Sequence, residues 1–461
     1  MSIDCDVLVI GAGISGLTAA FQVAKRGISV EVIDAAPRPG GVIATERGDS
    51  VLYERGPNST LDTAPVINEM LTEIGIARDR VELNARATKR FIVRHDKPIA
   101  LPANPLAFLR TPLFSAAAKV RLLREPFVAR ARAESDESVA EFVTRRLGRE
   151  ILDYAVEPFV AGVYAGDPSE LSLAAAFPRL HALEQRYGSL LKGQILGARE
   201  RAKSGEKGRN IAPSFSFRDG MQTLTDALAR RIGRVTTLAR ATAIRRMADG
   251  AIAVTLERAG ETLERRARSV VLSVPADCAA ALISSVAPDA SQALQEIPYA
   301  GITSVAQSYR RSDVTHPLDG FGLLAPRAEK RRILGTLFSS SMFDGRAPEG
   351  RVLFTTFLGG RRNAELLSRS DEDLAEISQR ELATLVGARG APVFCATTRW
   401  PRAIPQYALG HLDRIRRAER AQQALPGLYL CASYRGGVAV SDCIKSGYQT
   451  AEAVMRFLGV Q

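Results

Sequence analysis

Histidine is scarce in this chain: four residues in 461, at positions 95, 181, 316 and 411. There is one tryptophan, Trp400, and five cysteines, Cys5, Cys278, Cys395, Cys431 and Cys443, with no CxxC pair among them. Residues so few and scattered exclude a His/Cys metal centre as the basis of function. They describe reduced thiols rather than a disulfide framework. No Ser-His-Asp set and no paired acids stand out, and the four histidines read as structural or solvent-facing. No run of about 18 uncharged apolar residues occurs, so no membrane-spanning helix is expected. No secretory segment precedes the first apolar run, which makes a cytoplasmic protein the expectation. At 46% hydrophobic and 24% charged residues the composition is that of a globular protein, and 461 residues exceed one simple core.

Acidic residues are the minority sign, with a net charge of +12, and the imbalance is local. Residues 86–132 hold eleven Lys/Arg and two Asp/Glu, interleaved with Leu101, Leu106, Phe108, Leu109, Leu113, Phe114, Val120, Leu122, Leu123 and Phe127. That mixture suits a segment lying on an anionic membrane surface, and equally a solvated basic helix face. It carries no nucleic-acid motif, so no nucleic-acid partner is expected.

What is present begins at once. Val7 to Ile10 form an apolar run suited to a buried parallel strand, followed by Gly11-Ala12-Gly13-Ile14-Ser15-Gly16. Gly11 suits the tight turn, Gly13 the approach of backbone to a pyrophosphate, and Gly16 close packing of helix on sheet. Leu17 to Lys25 read as helix, Gly27 as its stop, and Ser29 to Ile33 as the second strand. Asp34 then stands where an acid binds a ribose 2′-hydroxyl, with Ala35 beside it. Strand, helix, strand and acid at these distances predict a bound dinucleotide. The sequence after Asp34 separates FAD from NAD. Arg38-Pro39-Gly40-Gly41 resembles the extension of FAD-containing amine oxidases, where an arginine reaches the cofactor.

Further along, residues 100–210 read mostly as helix, including Ser138 to Leu147, Glu150 to Val156 and Leu180 to Arg201, with a polar loop at Lys203 to Asn210. Residues from Phe215 to Pro275 return to strand–helix–strand. Residues 300–360 read as sheet, 371–386 as helix, and Gly427 to Leu458 as strand, glycine loop and helix.

Several segments then resemble one family, the flavin-dependent protoporphyrinogen oxidases, over essentially the whole chain. They are Glu54-Arg55-Gly56-Pro57-Asn58-Ser59, Phe159 to Pro168 with Leu171-Ser172, Gly320 to Leu324, Gly335 to Ser340, Thr356 to Gly360, and Ala432 to Gly447. The resemblance implies an α/β (α+β mixed) fold. A Rossmann-like FAD-binding domain would comprise 1–85, 211–280 and 405–461. A substrate domain on a mixed sheet would comprise 86–100 and 281–404, and a helical, membrane-associating insert 101–210. It implies a non-covalent FAD over Gly11 to Gly16 and Asp34. Arg38, Gly41, Val42, Gly56, Pro57, Asn58, Ser59, Trp400, Val438, Ala439 and Val440 would lie along it, and Ala241 at the adenine.

The substrate implied is protoporphyrinogen IX, a flexible apolar tetrapyrrole with two propionates. It would be oxidised in three two-electron steps, with molecular oxygen as acceptor and hydrogen peroxide as product. Arg90 would pair with a propionate. Gly162 would leave room for the macrocycle, and Ala165, where some relatives have Gly, would tighten that wall. Leu324 and Leu337 would sandwich one pyrrole, and Phe357 would stack on another. The chemistry is hydride transfer to the flavin, so no catalytic side chain is expected. Peripheral contact with the inner membrane and a homodimer are further expectations. A coproporphyrinogen III oxidase, another amine-oxidase-like flavin oxidase and a non-catalytic FAD-binding module stay as alternatives.

Overall fold

Apolar runs and glycine turns near the N-terminus set the first of two seven-stranded sheets. β1 (Cys5–Ile10) is almost wholly buried, α1 (Ile14–Ala24) follows, and β2 (Val30–Ile33) is buried throughout. Such strands, apolar on both faces, belong in a parallel sheet covered by helices. β1 pairs in parallel with β2 on one side and with Glu261–Leu272 on the other. The order is Val235–Thr236, β2, β1, Glu261–Leu272, Ile252–Arg258, Ala239–Arg246, with Leu428–Leu430 added to Glu261–Leu272. α1 and the C-terminal helix, Val440–Leu458, share a core on one face. Helices Ala276–Ile283 and Pro288–Gln295 share the core on the other. In this computed structural model residues 3–131, 136–194, 196 and 212–460 are described. The polar stretch at 203–210 and the end of the helix expected to reach Arg201 lie outside them.

The second sheet contains β3 (Lys89–Arg94), β4 (Tyr299–Arg310), β5 (Gly320–Leu324), β6 (Ile333–Leu337), β7 (Arg351–Gly359) and β8 (Phe394–Pro405). Its order is β8-β4-β7-β6-β5-β3, closed by Lys97–Ala100. It is mixed, since β5 runs parallel to β3 and the other pairs are antiparallel. Helix Asp371–Val386 covers one face through Leu374, Ile377, Leu382 and Leu385. The expected mixed α/β class is the class observed.

Helices fill the segment between the sheets, with two departures from expectation. Glu150 to Val156 is expected as helix, and Pro158, whose ring would clash with a preceding carbonyl inside a regular helix, follows it. The chain instead widens into a π turn over Leu152–Val156 and continues as α2 (Glu157–Tyr164), with Pro158 in its first turn. The stretch expected as one helix from Leu180 to Arg201 is interrupted, with helix again over 190–194. Helix Pro178–Tyr187 ends at Gly188, whose φ of 69° is the left-handed stop that glycine permits.

This insert is tied by buried charge. Arg146 is fully buried, 2.7 Å from Glu125 and 2.5 Å from Glu184. Glu125 also accepts from Ser189 Oγ at 2.6 Å and from the N–H groups of Leu190 and Leu191. Burial raises the Glu125 pKa, but those hydrogen bonds and Arg146 outweigh it and hold the carboxyl below its usual range. Removing one partner strands the others without water. Arg146→Ala should therefore cost about 3–5 kcal/mol in urea denaturation, and a loss below about 1 kcal/mol would show the cluster to be solvated.

Candidate functional site

The three motif glycines do three different things. Gly11 has φ +105°, and a Cβ there would fall 2.2 Å from the Ser273 carbonyl oxygen. A Cβ on Gly16 would fall 2.2 Å from the Gly11 carbonyl oxygen, so both positions serve close packing. Gly13 is different: a Cβ there meets nothing within 4 Å. It opens α1, which has no side-chain cap and no acid in its first turn. The first helical bond runs from Leu17 N–H to the Gly13 carbonyl, so the preceding N–H groups are free to face an anion. Open space over backbone donors suits a diphosphate.

Asp34 ends β2 and braces the turn. Its carboxylate accepts from the N–H of Ala12 at 2.6 Å and of Ala36 at 2.7 Å. About four acceptor positions exist on a carboxylate, so room for a ribose hydroxyl remains. Beyond it, Ala35, Leu238, Arg240, Glu257 and Thr262 line part of a pocket of about 330 Å³, and half-buried Ala241 sits at a β-bulge on the same strand as Arg240.

Arg38 does not reach outward. Its guanidinium donates to the carbonyls of Pro39, Gly41 and Ile43 at 2.9–3.0 Å and so shapes the loop. That loop leaves Val42 45% exposed beside the glycine turn. A Cβ on Gly41 would lie 3.4 Å from the Gly13 Cα, and one on Gly56 would lie 2.0 Å from the Val42 carbonyl oxygen. Pro57, Asn58 and Ser59 follow half-buried, with Asn58 Nδ2 donating to the Gly56 carbonyl. Val438 and Ala439 are half-buried and lead into Val440 at the start of the C-terminal helix, again without a side-chain cap.

One face of the second sheet completes the site. Residues paired across strands point to the same side. The row Leu324–Gly335–Phe357–Ser304–Thr398 runs across β5, β6, β7, β4 and β8. The row two residues along contains Arg90, Gly322, Leu337 and Thr355. On the other side of Phe357, Gly359 pairs with Ile302 and Ile302 with Trp400. Arg90, Leu324, Leu337, Phe357 and Trp400 thus share a face and none is fully buried. Their neighbours Phe91, Val93, Val305, Leu323, Phe354 and Leu358 pack into the opposite core. Gly322 and Gly335 flatten the face, because a Cβ on either would strike backbone within 2.5 Å.

The edges of this face are polar. Arg90 is exposed, its guanidinium carbon 5.3 Å from the Phe321 ring centre, with no carboxylate at ion-pair distance among the described residues. At the opposite end Trp400 Nε1 donates to the Arg55 carbonyl at 2.7 Å, joining the sheet to the Gly56 loop. α2 roofs the face. A Cβ on Gly162 would lie 2.9 Å from Leu324 Cδ2, so the room expected beside Gly162 is taken by the Leu324 side chain. Ala165 ends α2 in the left-handed region with φ 48° and is buried in a small apolar cluster with Phe357 at its margin.

Glu54, which opens the segment Glu54 to Ser59 and has no role assigned from sequence, is buried. It accepts from Thr45 Oγ1 and from the Met221 N–H, and lies 3.8 Å from Arg346. Burial pushes its carboxyl up to about 7. Only its place next to Arg55 signalled it.

The glycine geometry separates two variants that sequence alone would treat alike. Gly11→Ala should misfold or lose several kcal/mol, since an Ala methyl cannot share space with the Ser273 carbonyl. Gly13→Ala should keep the far-ultraviolet circular dichroism and yield of the parent yet purify with little flavin. Full flavin content in Gly13→Ala would contradict the open-space reading.

A family model described as flavin containing amine oxidoreductase matches residues 14–455. The mitochondrial protoporphyrinogen oxidase of Nicotiana tabacum is 32% identical over 479 residues, covering 98% of this chain and 95% of that protein. The coproporphyrinogen III oxidase of Bacillus subtilis (strain 168) is 28% identical over 471 residues, covering 98% of each. A solved chain from Exiguobacterium sp. 255-15 superposes with a TM-score of 0.82 over 100% of both chains at 24% identity, a likeness of fold. With the glycine turn, the two flanking loops and the full-length match in place, the chain belongs to the flavin containing amine oxidoreductases, as an FAD-dependent oxidoreductase of their porphyrinogen-oxidising group.

Proposed function

We propose that this chain oxidises protoporphyrinogen IX to protoporphyrin IX in porphyrin and haem biosynthesis, with dioxygen as the final acceptor. Six electrons leave the substrate in three two-electron steps, and three dioxygen molecules become three of hydrogen peroxide. FAD, when bound, supplies the hydride acceptor. The chain's own residues hold and enclose. The N-terminus of α1 and Gly13 take the diphosphate, and Asp34 with Ala35 the ribose. Val42, Gly56 to Ser59, Trp400 and Val438 to Val440 take the ring system. The observation that carries the substrate reading is the flattened apolar face between Trp400 and Arg90. Leu324, Leu337 and Phe357 offer a large apolar ligand contact area on it, and Arg90 offers one cation for a carboxylate. The aromatic product makes a strong general base unnecessary.

The domain boundaries drawn from sequence (1–85, 211–280 and 405–461; 86–100 and 281–404; 101–210) belong to the same proposal. So does peripheral membrane contact through the insert. Leu106, Leu109, Val120, Leu123 and Phe127 are exposed there, Phe127 at 87%, among exposed Arg110, Arg124 and Arg130. Lys119 and Arg121 are committed elsewhere, to the carbonyls of Leu109 and Thr111 and of Arg145 and Arg146. No helix among the described residues is long and apolar enough to cross a membrane.

Porphyrin fluorescence gained in air tests the reaction. Protoporphyrinogen IX should be oxidised faster than coproporphyrinogen III, whose four carboxylates need more cations than Arg90. A preference for the latter would move the chain to the coproporphyrin branch, and no gain with either would overturn the reading. Arg90→Ala should raise KM about ten- to hundredfold with kcat little changed, the worth of one charged hydrogen bond. An unchanged KM would remove Arg90 from the substrate site. For the membrane, the triple variant Arg110→Glu, Arg124→Glu, Phe127→Ser should stay in the supernatant when wild type sediments with anionic vesicles, since each basic residue contributes about 1 kcal/mol there. Equal sedimentation would reject the contact.

A further inference from the structure

Tyr407 lies just beyond β8 and is buried, yet its hydroxyl is fully used. It donates to the Ser433 carbonyl at 2.7 Å and accepts from the Gly437 N–H at 2.8 Å. Its ring stacks on His411, with centres 4.2 Å apart and planes 13° from parallel. His411 is buried too, and its Nε2 lies 2.9 Å from the Tyr434 carbonyl, so that nitrogen carries the hydrogen. Burial pushes the phenol pKa up and the imidazole down to about 4, so both side chains are neutral near pH 7.

Three backbone groups of one short loop are therefore held by a single stacked pair. The loop needs such help. Gly436 and Gly437 have φ of +85° and +128°, and the segment lies outside any helix or strand ladder. It delivers Val438 and Ala439 to the uncapped N-terminus of the nineteen-residue C-terminal helix. The short segment 406–407, which carries Tyr407, also grips the helix above the sheet face. Gln406 Nε2 donates to the Tyr164 carbonyl at 2.8 Å, and the Tyr407 and Tyr164 rings lie 5.7 Å apart.

We propose that Tyr407, stacked on His411, is a positioning residue that fixes the 433–437 loop and with it the placing of Val438 to Val440 against the flavin. This rests on the flavin site described above but not on the identity of the substrate. Tyr407→Phe keeps the ring and the stack and loses only the two bonds to the loop. From the purified holoenzyme it should release FAD about tenfold faster on dilution, read as recovered flavin fluorescence, and show an altered visible circular dichroism of the bound flavin. Tyr164→Phe is the comparison. It removes an equally buried hydroxyl from the same ring cluster, bonded to the Ala176 carbonyl rather than to the loop, and should match wild type in both readouts. Wild-type release and dichroism in Tyr407→Phe would overturn the proposal, and so would equal changes in both variants, which would mark a merely structural role. If Tyr407→Phe fails to fold, hydrogen exchange in wild-type holoenzyme decides. The Gly437 amide should exchange at least tenfold more slowly than that of Gly436, and equal rates overturn the proposal. Failure to oxidise any porphyrinogen would leave these readouts unmoved and so is distinguishable.

Discussion

A hydrogen bond from Trp400 Nε1 to the Arg55 carbonyl, 2.7 Å, ties the second sheet to the loop beside the glycine turn, where the proposed flavin and substrate sites meet. On one side of it stands the glycine turn with its loops, on the other the flattened face of the second sheet. A hydride moves only between atoms held at about 3–3.5 Å, so the spacing of the two cannot drift. The link is reinforced by buried charge. Arg346, in the loop before β7, reaches Ser216 Oγ and the Phe217 carbonyl beside Glu54, and the Leu52 N–H donates to the Arg346 carbonyl.

The division of labour along the chain follows from that constraint. The first sheet gives a rigid platform because β1 and β2 are apolar on both faces, and its turn exposes donors because α1 opens on glycine rather than on a capping side chain. The second sheet is asymmetric. One face is sealed by helix Asp371–Val386 and the other is kept only partly covered. Glycines at 322 and 335 let the neighbouring strands' backbone approach, and Gly162 lets the roof helix come down on Leu324. The helical insert closes the arrangement, and its own fixed point is the buried Arg146 between two glutamates.

How much of this was legible in the sequence depended on the range of the interaction. The β1–α1–β2 unit was readable because its causes are local: an apolar run, glycines at fixed offsets and an acid at the strand end. The sheet face was readable only through resemblance, since Leu324, Leu337 and Phe357 look like any strand residues until register places them side by side. That Arg38 braces its own loop through three carbonyls is not visible in its motif, which offers it only as a cofactor contact. The π turn before Pro158 has no counterpart in helical periodicity, and the stop at Gly188 is carried by that one glycine rather than by the periodicity around it. The bonds of Tyr407 to residues 433 and 437, and of Trp400 to residue 55, span separations that no local pattern carries.

We propose a porphyrinogen on this sheet face, within reach of a flavin held by the glycine turn. The most direct measurement is an anaerobic titration of the oxidised holoenzyme with protoporphyrinogen IX, following flavin absorbance and porphyrin formation together. The flavin should bleach, with close to three flavins reduced for each porphyrin formed. A flavin that stays oxidised in the presence of excess substrate would contradict it.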